Sequence, residues 1–123
     1  MISKNLFSLK GKTALVTGGS TGIGFMATAG LVSAGAEVFI VSRKLENCQN
    51  AAEKLNNCNF EGEVIPFKGD LSSETGINNI VEEIYAKNSE LHILINNAGI
   101  TWGSDLGSFP YDAWAKVLNL NVS

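Results

Sequence analysis

The feature that most constrains the fold is an alternation of two hydrophobic periodicities. Short unbroken apolar runs take turns with longer segments whose apolar residues recur at helical spacing. The runs are Thr13–Thr17, Glu37–Val41 (EVFIV), Glu63–Phe67 and Leu91–Ile95 (LHILI). Between the first two, Ile23, Ala27, Gly30, Leu31 and Ala34 fall on one helical face, and Gly35 ends that helix. Leu45, Cys48, Ala52 and Leu55 make a second stripe. Ile77, Ile80, Val81, Ile84 and Tyr85 make a third, with Ser72 or Ser73 as its N-cap. Trp114, Val117 and Leu118 begin a fourth helix, with Pro110 suited to its first turn.

This order, strand and helix in strict alternation four times over, predicts an α/β fold. Strands that are apolar throughout expect burial on both faces, which is the habit of parallel sheets. Right-handed crossovers then give a doubly wound sheet with strands in the order 3-2-1-4. Strand four falls at an edge, yet LHILI carries no proline or lysine to guard it. It reads as an interior strand of a larger sheet.

A length of 123 residues allows one domain. With 45% apolar and 17% charged residues, the composition is that of a globular chain. A net charge of -3 supplies no basic field for nucleic acid. No apolar run approaches the roughly 18–20 residues of a membrane span. The start, MISKNLFSLKGK, lacks the apolar core of a signal peptide, so a cytoplasmic location is expected. Cys48 and Cys58 are expected to be reduced, structural thiols, since no metal-ligand spacing surrounds them. The sequon at Asn121 is then a chance match, and the lone histidine, His92, is expected to be structural, with no evident partner nearby in sequence.

The stretch TGGSTGIG, Thr17 to Gly24, packs four glycines into eight residues between strand one and its helix. The chain must turn sharply there and come close to a ligand. Gly18 suits the tight turn, Gly22 the approach of a phosphate to the backbone, and Gly24 close packing of helix on strand. The helix start offers free N–H groups and the positive end of the helix dipole to a pyrophosphate. Ser20 and Thr21 add hydroxyls. There is no Gly-x-x-x-x-Gly-Lys-Ser/Thr loop, which argues against a nucleotide hydrolase.

The glycine spacing is Gly-x-x-x-Gly-x-Gly. Together with Asn96-Asn97-Ala98-Gly99 after strand four, it resembles the short-chain dehydrogenase/reductases, from about Leu9 to Ser123. The resemblance implies a Rossmann-type sheet of which the first four βα units are present. It implies that residues 1–123 form the N-terminal, dinucleotide-binding part of a longer single domain. It implies that Thr17, Gly18, Ser20, Thr21, Gly22, Ile23 and Gly24 bind the cofactor. It implies that Asp70, with Leu71, holds the adenine, and that Asn97, Ala98 and Gly99 lie along the ribose. A plainer reading of Asp70 is an acid before a helix start.

The end of strand two decides between NADP(H) and NAD(H). An acidic residue there would bind the adenosine ribose and select NAD. This chain has Ser42 instead, followed by Arg43 and Lys44, and Ser42 and Arg43 are the candidate cofactor-binding residues there. A missing carboxylate removes repulsion against a 2′-phosphate, and a guanidinium supplies a planar, bidentate partner for one. NADP(H) is therefore expected over NAD(H). The bland alternative makes Arg43 an ordinary solvated charge.

Asn121 continues the inward stripe of the fourth helix, three residues beyond Leu118. A buried amide needs partners, so a satisfied core amide is one reading. The resemblance implies another: the catalytic asparagine, holding a water that links a lysine to the proton relay. The neighbouring Asn119 would point about 160° away. The family's catalytic Ser and its Tyr-x-x-x-Lys pair have no counterpart here. Tyr111 and Lys116 are five apart, and Tyr85 and Lys87 two apart, so neither pair shares a helical face. These residues are expected beyond Ser123, and the 123-residue chain alone is expected to be inactive.

The functional expectation is an NADP(H)-dependent oxidoreductase acting on a carbonyl or alcohol substrate. Ile100-Thr101-Trp102-Gly103 resembles 3-oxoacyl-type reductases. A homo-oligomer is implied for the complete enzyme. The alternative is a catalytically inactive fragment, or a dinucleotide-binding module, that needs the missing half or a partner chain.

Overall fold

The computed structural model describes residues 8–20, 22–71, 73–87 and 90–96. The expected fourth helix, Asn97-Ala98-Gly99, Thr21, Ser72 and Asn121 lie outside the described residues. The elements run β1 (Thr13–Thr17), α1 (Gly22–Ser33), β2 (Glu37–Ser42), α2 (Leu45–Asn56), β3 (Glu63–Lys68), α3 (Glu74–Lys87) and β4 (Ile93–Asn96).

The four strands form one parallel sheet in the order β3-β2-β1-β4, as expected. β1 is buried along its whole length, and β2 over its four central residues. Alternate strand residues feed two cores, because successive side chains point to opposite faces. On one face Ala14, Val16, Val38, Ile40 and Val64 pack with Val32 of α1 and with Cys48, Ala52 and Leu55 of α2. On the other, Leu15, Phe39 and Val41 meet Ile77, Ile80 and Ile84 of α3. Phe39 and Phe67 stack there across β2 and β3, ring centres 5.3 Å apart. Two helices on one face and one on the other make the sheet doubly wound.

The expected inward face of α1 needs correction. Ile23 is 75% exposed and Gly30 is exposed. Gly24, Thr28 and Val32 are the buried residues, at i, i+4 and i+8. Helix α1 is apolar nearly all round, so periodicity could not locate its inner side. Close contact with the sheet chose the small residues, and Thr28 satisfies its hydroxyl on the Gly24 carbonyl at 2.8 Å. The expected stripes of α2 and α3 hold in their central residues, with Ala51 added to α2 and with Leu45, Val81 and Tyr85 only half-buried. Ser73 caps α3, its Oγ accepting the Gly76 N–H at 3.0 Å.

His92 lies just before β4, and its role is structural. Its Nδ1 accepts the Thr13 N–H at 3.0 Å, and its own N–H donates to the Thr13 carbonyl at 2.9 Å. The expectation that no partner lay nearby in sequence is overturned: Nε2 sits 2.9 Å from Glu90. Cys48 and Cys58 are both free, the first buried and the second exposed.

Candidate dinucleotide site

Parallel strands bring all their carboxyl ends to one edge. Register pairs Thr17 with Val41 and with Asn96, and Ser42 with Lys68. The chain leaves β1 for α1 on one face, while the link into β4 comes from α3 on the other. A crevice must open at that reversal, beyond the ends of β1 and β4. Gly18, Gly19, Ser20 and Gly22 of the glycine-rich turn sit there.

Two glycines in the turn adopt left-handed backbone, Gly18 at φ +65 and Gly22 at φ +57. A side chain at either would be strained. A Cβ at Gly22 would meet nothing within 4 Å, so the backbone there is open to an incoming group. Gly22 also starts α1, whose first turn carries no acid to neutralise the positive dipole end. Open backbone and uncompensated N–H groups fit a pyrophosphate. Ser20, half-buried, and Gly22 line a cleft of about 400 Å³ whose other wall is Asn47, Asn50 and Lys54 of α2.

Gly19 was missed by sequence reasoning. It is buried, and a Cβ there would lie 2.5 Å from Ile40 Cγ2 and 3.0 Å from Thr28 Oγ1. The turn therefore lies directly on β2 and α1. Gly24, assigned close helix–strand packing, is buried as expected. Asn96 was also left out of the expected site. Thr17 is fully buried, and its hydroxyl donates to Asn96 Oδ1 at 2.9 Å. That bond ties the ends of β1 and β4 together under the crevice. The pairing across the motif's first asparagine was the only signal, and it needs the sheet register to be seen.

Beyond β2, the chain reaches Ser42, Arg43 and Lys44. Ser42 Oγ accepts the Lys44 N–H at 3.0 Å and donates to the Lys44 carbonyl at 3.2 Å. Arg43 Nε stands 3.6 Å from Asp70 Oδ1, with both side chains more than half exposed. The structure thus brings together two residues expected at the adenosine end. Leu71, next to Asp70, is buried in the α3-side core. Asp70 also borders a cleft of about 420 Å³ with Gly69, Ser73 and Gly76. A Cβ at Gly76 would collide with the Asp70 carbonyl oxygen, so this glycine lets the β3 exit lie against α3.

Burial raises the Cys48 thiol's pKa above its ordinary 9.0, opposed in part by a hydrogen bond with Ser42. Among the described residues no cluster of His, Cys, Asp and Glu could hold a metal ion, and no helix is long and apolar enough to cross a membrane.

This geometry has many relatives. A 3-oxoacyl-[acyl-carrier-protein] reductase of rhamnolipid biosynthesis from Pseudomonas aeruginosa is 45% identical over 117 residues, covering 95% of this chain and 44% of that protein. The Pseudomonas aeruginosa RhlG/NADP active-site complex superposes with TM-score 0.70 at 41% identity, over 93% of this chain and 42% of that one. L-Sorbose reductase from Gluconobacter frateurii, solved with NADPH and L-sorbose, gives TM-score 0.76 at 26% identity, over 94% of this chain and 48% of that one. The chain thus spans less than half the length of these relatives. The family model described as short chain dehydrogenase matches residues 12–123, and with a glycine-rich turn set at the reversal of a 3-2-1-4 sheet, this chain belongs to the short-chain dehydrogenase family.

Proposed function

We propose that this chain forms the nucleotide-binding part of an NADP(H)-dependent oxidoreductase that interconverts a carbonyl and an alcohol. The observation that carries the cofactor choice is Arg43 at the carboxyl end of β2, with Ser42 where an NAD-selecting carboxylate would stand. The relatives solved with NADP and NADPH support it. NADPH, when bound, supplies the hydride for the substrate's carbonyl carbon.

The chain's own residues would bind and orient. Gly18, Ser20, Thr21, Gly22, Ile23 and Gly24 would cradle the pyrophosphate at the start of α1, above the Thr17–Asn96 bond. Arg43 would meet the 2′-phosphate, Asp70 and Leu71 the adenine, and Asn97, Ala98 and Gly99 the ribose. Asn121 would sustain the proton relay to the alkoxide oxygen. The tyrosine and lysine of that relay would lie in a further part of the polypeptide. A 3-oxoacyl substrate, a homo-oligomer and a reducing cytoplasmic setting complete the reading. They are supported by the 45% identical reductase, by family resemblance and by the two free cysteines.

The test is a titration of the natural polypeptide with NADPH and NADH, followed by turnover on a panel of ketones and 3-oxoacyl thioesters. Tighter NADPH binding and reduction of a panel member are expected. Tighter NADH binding refutes the cofactor choice. Binding without turnover in the full natural polypeptide favours the dinucleotide-binding module.

A further inference from the structure

We propose that the Asn56 side chain closes the free edge of β3 to strand addition, and that the partner it turns away is a second copy of this chain. Among the described residues β3 ends the sheet, with β2 on one side of it and no strand on the other. Such an edge presents a row of backbone groups with which another chain can pair. Every copy carries the same edge, and two of them would meet about a two-fold axis.

The row can be read residue by residue. The Val64 N–H donates to Asn56 Oδ1 at 2.9 Å, and Asn56 Nδ2 donates to the Val64 carbonyl at 3.0 Å. Both backbone groups of Val64 therefore point away from β2. Two bonds exchanged with one residue are the pattern of a hydrogen-bonded pair in an antiparallel ladder. A side-chain amide has the donor and acceptor of a peptide group. Asn56 thus stands in for one residue of a neighbouring strand. Backbone groups alternate in direction along a strand, so Pro66 and Lys68 face outward with Val64. The Gly69 N–H, one residue on, accordingly bonds back to the Ser42 carbonyl of β2 at 3.0 Å. Pro66 has no N–H to offer. Lys68 is exposed, and pairing would desolvate its charge. β4, at the other edge of the described sheet, carries neither proline nor lysine.

The fold holds the amide in place. Leu55, beside Asn56, is buried and anchors the last turn of α2. Gly62 seats the entry to β3: its N–H donates to the Val32 carbonyl at 3.1 Å, and a Cβ there would collide with the Ala36 carbonyl oxygen. Asn56 is itself exposed, so water could satisfy Val64 without it. Water, however, leaves when a strand arrives. The amide stays, because its own chain tethers it.

The experiment takes the natural polypeptide carrying this sequence, with Asn56→Ala, Pro66→Val and the double variant N56A/P66V. Amide hydrogen exchange and sedimentation over a concentration series are measured on each. Asn56→Ala is expected to speed exchange at the Val64 amide about tenfold, the effect of losing one hydrogen bond. The Ile65 and Phe67 amides, which face β2, are expected to change less than about twofold. Each single variant is expected to keep the wild-type mass, since the other guard still interrupts the edge. The double variant is expected to rise with concentration to about twice the wild-type mass, and to return on dilution with wild-type circular dichroism. An unchanged Val64 amide in Asn56→Ala overturns the proposal. Equal acceleration of all β3 amides also overturns it, because that marks a bond serving stability alone. A folded double variant that keeps the wild-type mass at every concentration overturns it as well. Should N56A/P66V not fold, Asn56→Ala with Pro66→Ala is read by the same two measurements and the same outcomes.

Discussion

Arg43 Nε lies 3.6 Å from Asp70 Oδ1, across the carboxyl ends of neighbouring strands β2 and β3. The two residues are far apart in sequence and were assigned to different parts of the cofactor. Parallel pairing makes them neighbours, so the carboxylate proposed for the adenine partners the guanidinium proposed for the phosphate. Both are more than half exposed, so the pair itself adds little to stability. Its interest lies in binding.

Arg43→Asp should weaken NADPH by about tenfold or more, the range for losing a hydrogen bond between charged groups. NADH should change much less, because it lacks the 2′-phosphate that Arg43 is proposed to meet. Asp70→Asn should weaken both cofactors to a similar extent, since adenine is common to them. Parallel titrations of the two variants decide: equal loss of both cofactors in Arg43→Asp would mean that Arg43 does not read the phosphate.

Thr17 is fully buried and donates to Asn96 Oδ1 at 2.9 Å. Thr17→Val keeps the shape and deletes this bond together with the longer one from the same hydroxyl to the Ile95 carbonyl at 3.4 Å. Asn96 is exposed and can turn to water, so the loss should stay near about 1 kcal/mol. Thr17→Ser should lose less, because it keeps the hydroxyl. Urea unfolding of the three proteins measures the difference, and a Thr17→Val as stable as wild type would show that this bond does not secure the edge of the sheet.

Gly19→Ala should cost about 1–3 kcal/mol through overpacking. The new methyl would fall 2.5 Å from Ile40 Cγ2. Shortening Ile40 to alanine removes that atom, so the double variant Gly19→Ala/Ile40→Ala should be more stable than the sum of the single losses predicts. Strict additivity in denaturation would mean that the turn moves away from β2 rather than pressing on it.

Cys48 and Cys58 should separate by reactivity. Cys58 is exposed, while Cys48 is buried with a thiol whose pKa is raised above 9.0. Alkylation of the native protein should therefore label Cys58 first, as mass spectrometry of timed digests can read. The same shift carries a pH dependence. The folded Cys48 keeps its proton at pH values where the unfolded thiol has lost it, so the native state binds more protons there. Stability is then unaffected below about pH 8 and should fall as pH rises through the unfolded value near 9. Removing the thiol in Cys48→Ala should flatten that decline, measured as urea midpoints from pH 7 to 10.

Much of the frame was legible without coordinates. Period-two and period-3.6 patterns are local properties, so the four strands and three of the helices could be placed from their own residues. The bounds moved by one or two positions: β2 gained Ser42, β3 gained Lys68, and β4 shifted to Ile93–Asn96. Burial on both faces of β1 and β2 followed from their unbroken apolar runs, and it also implied the parallel order. Helix α1 marks the limit of this reasoning. With apolar side chains on nearly every side it carried no directional signal, and the face built on Ile23 was wrong.

The sequence by itself determined the alternating α/β chain, the glycine-rich turn and the residue types available to a dinucleotide, because these follow from neighbours within one or two turns of chain. Only the tertiary structure decided which of them meet. The bond from Thr17 to Asn96, the seat of Gly19 on Ile40 and the approach of Arg43 to Asp70 all cross between strands distant in sequence. Such contacts depend on register, and register is settled only when the two cores on either side of the sheet pack together.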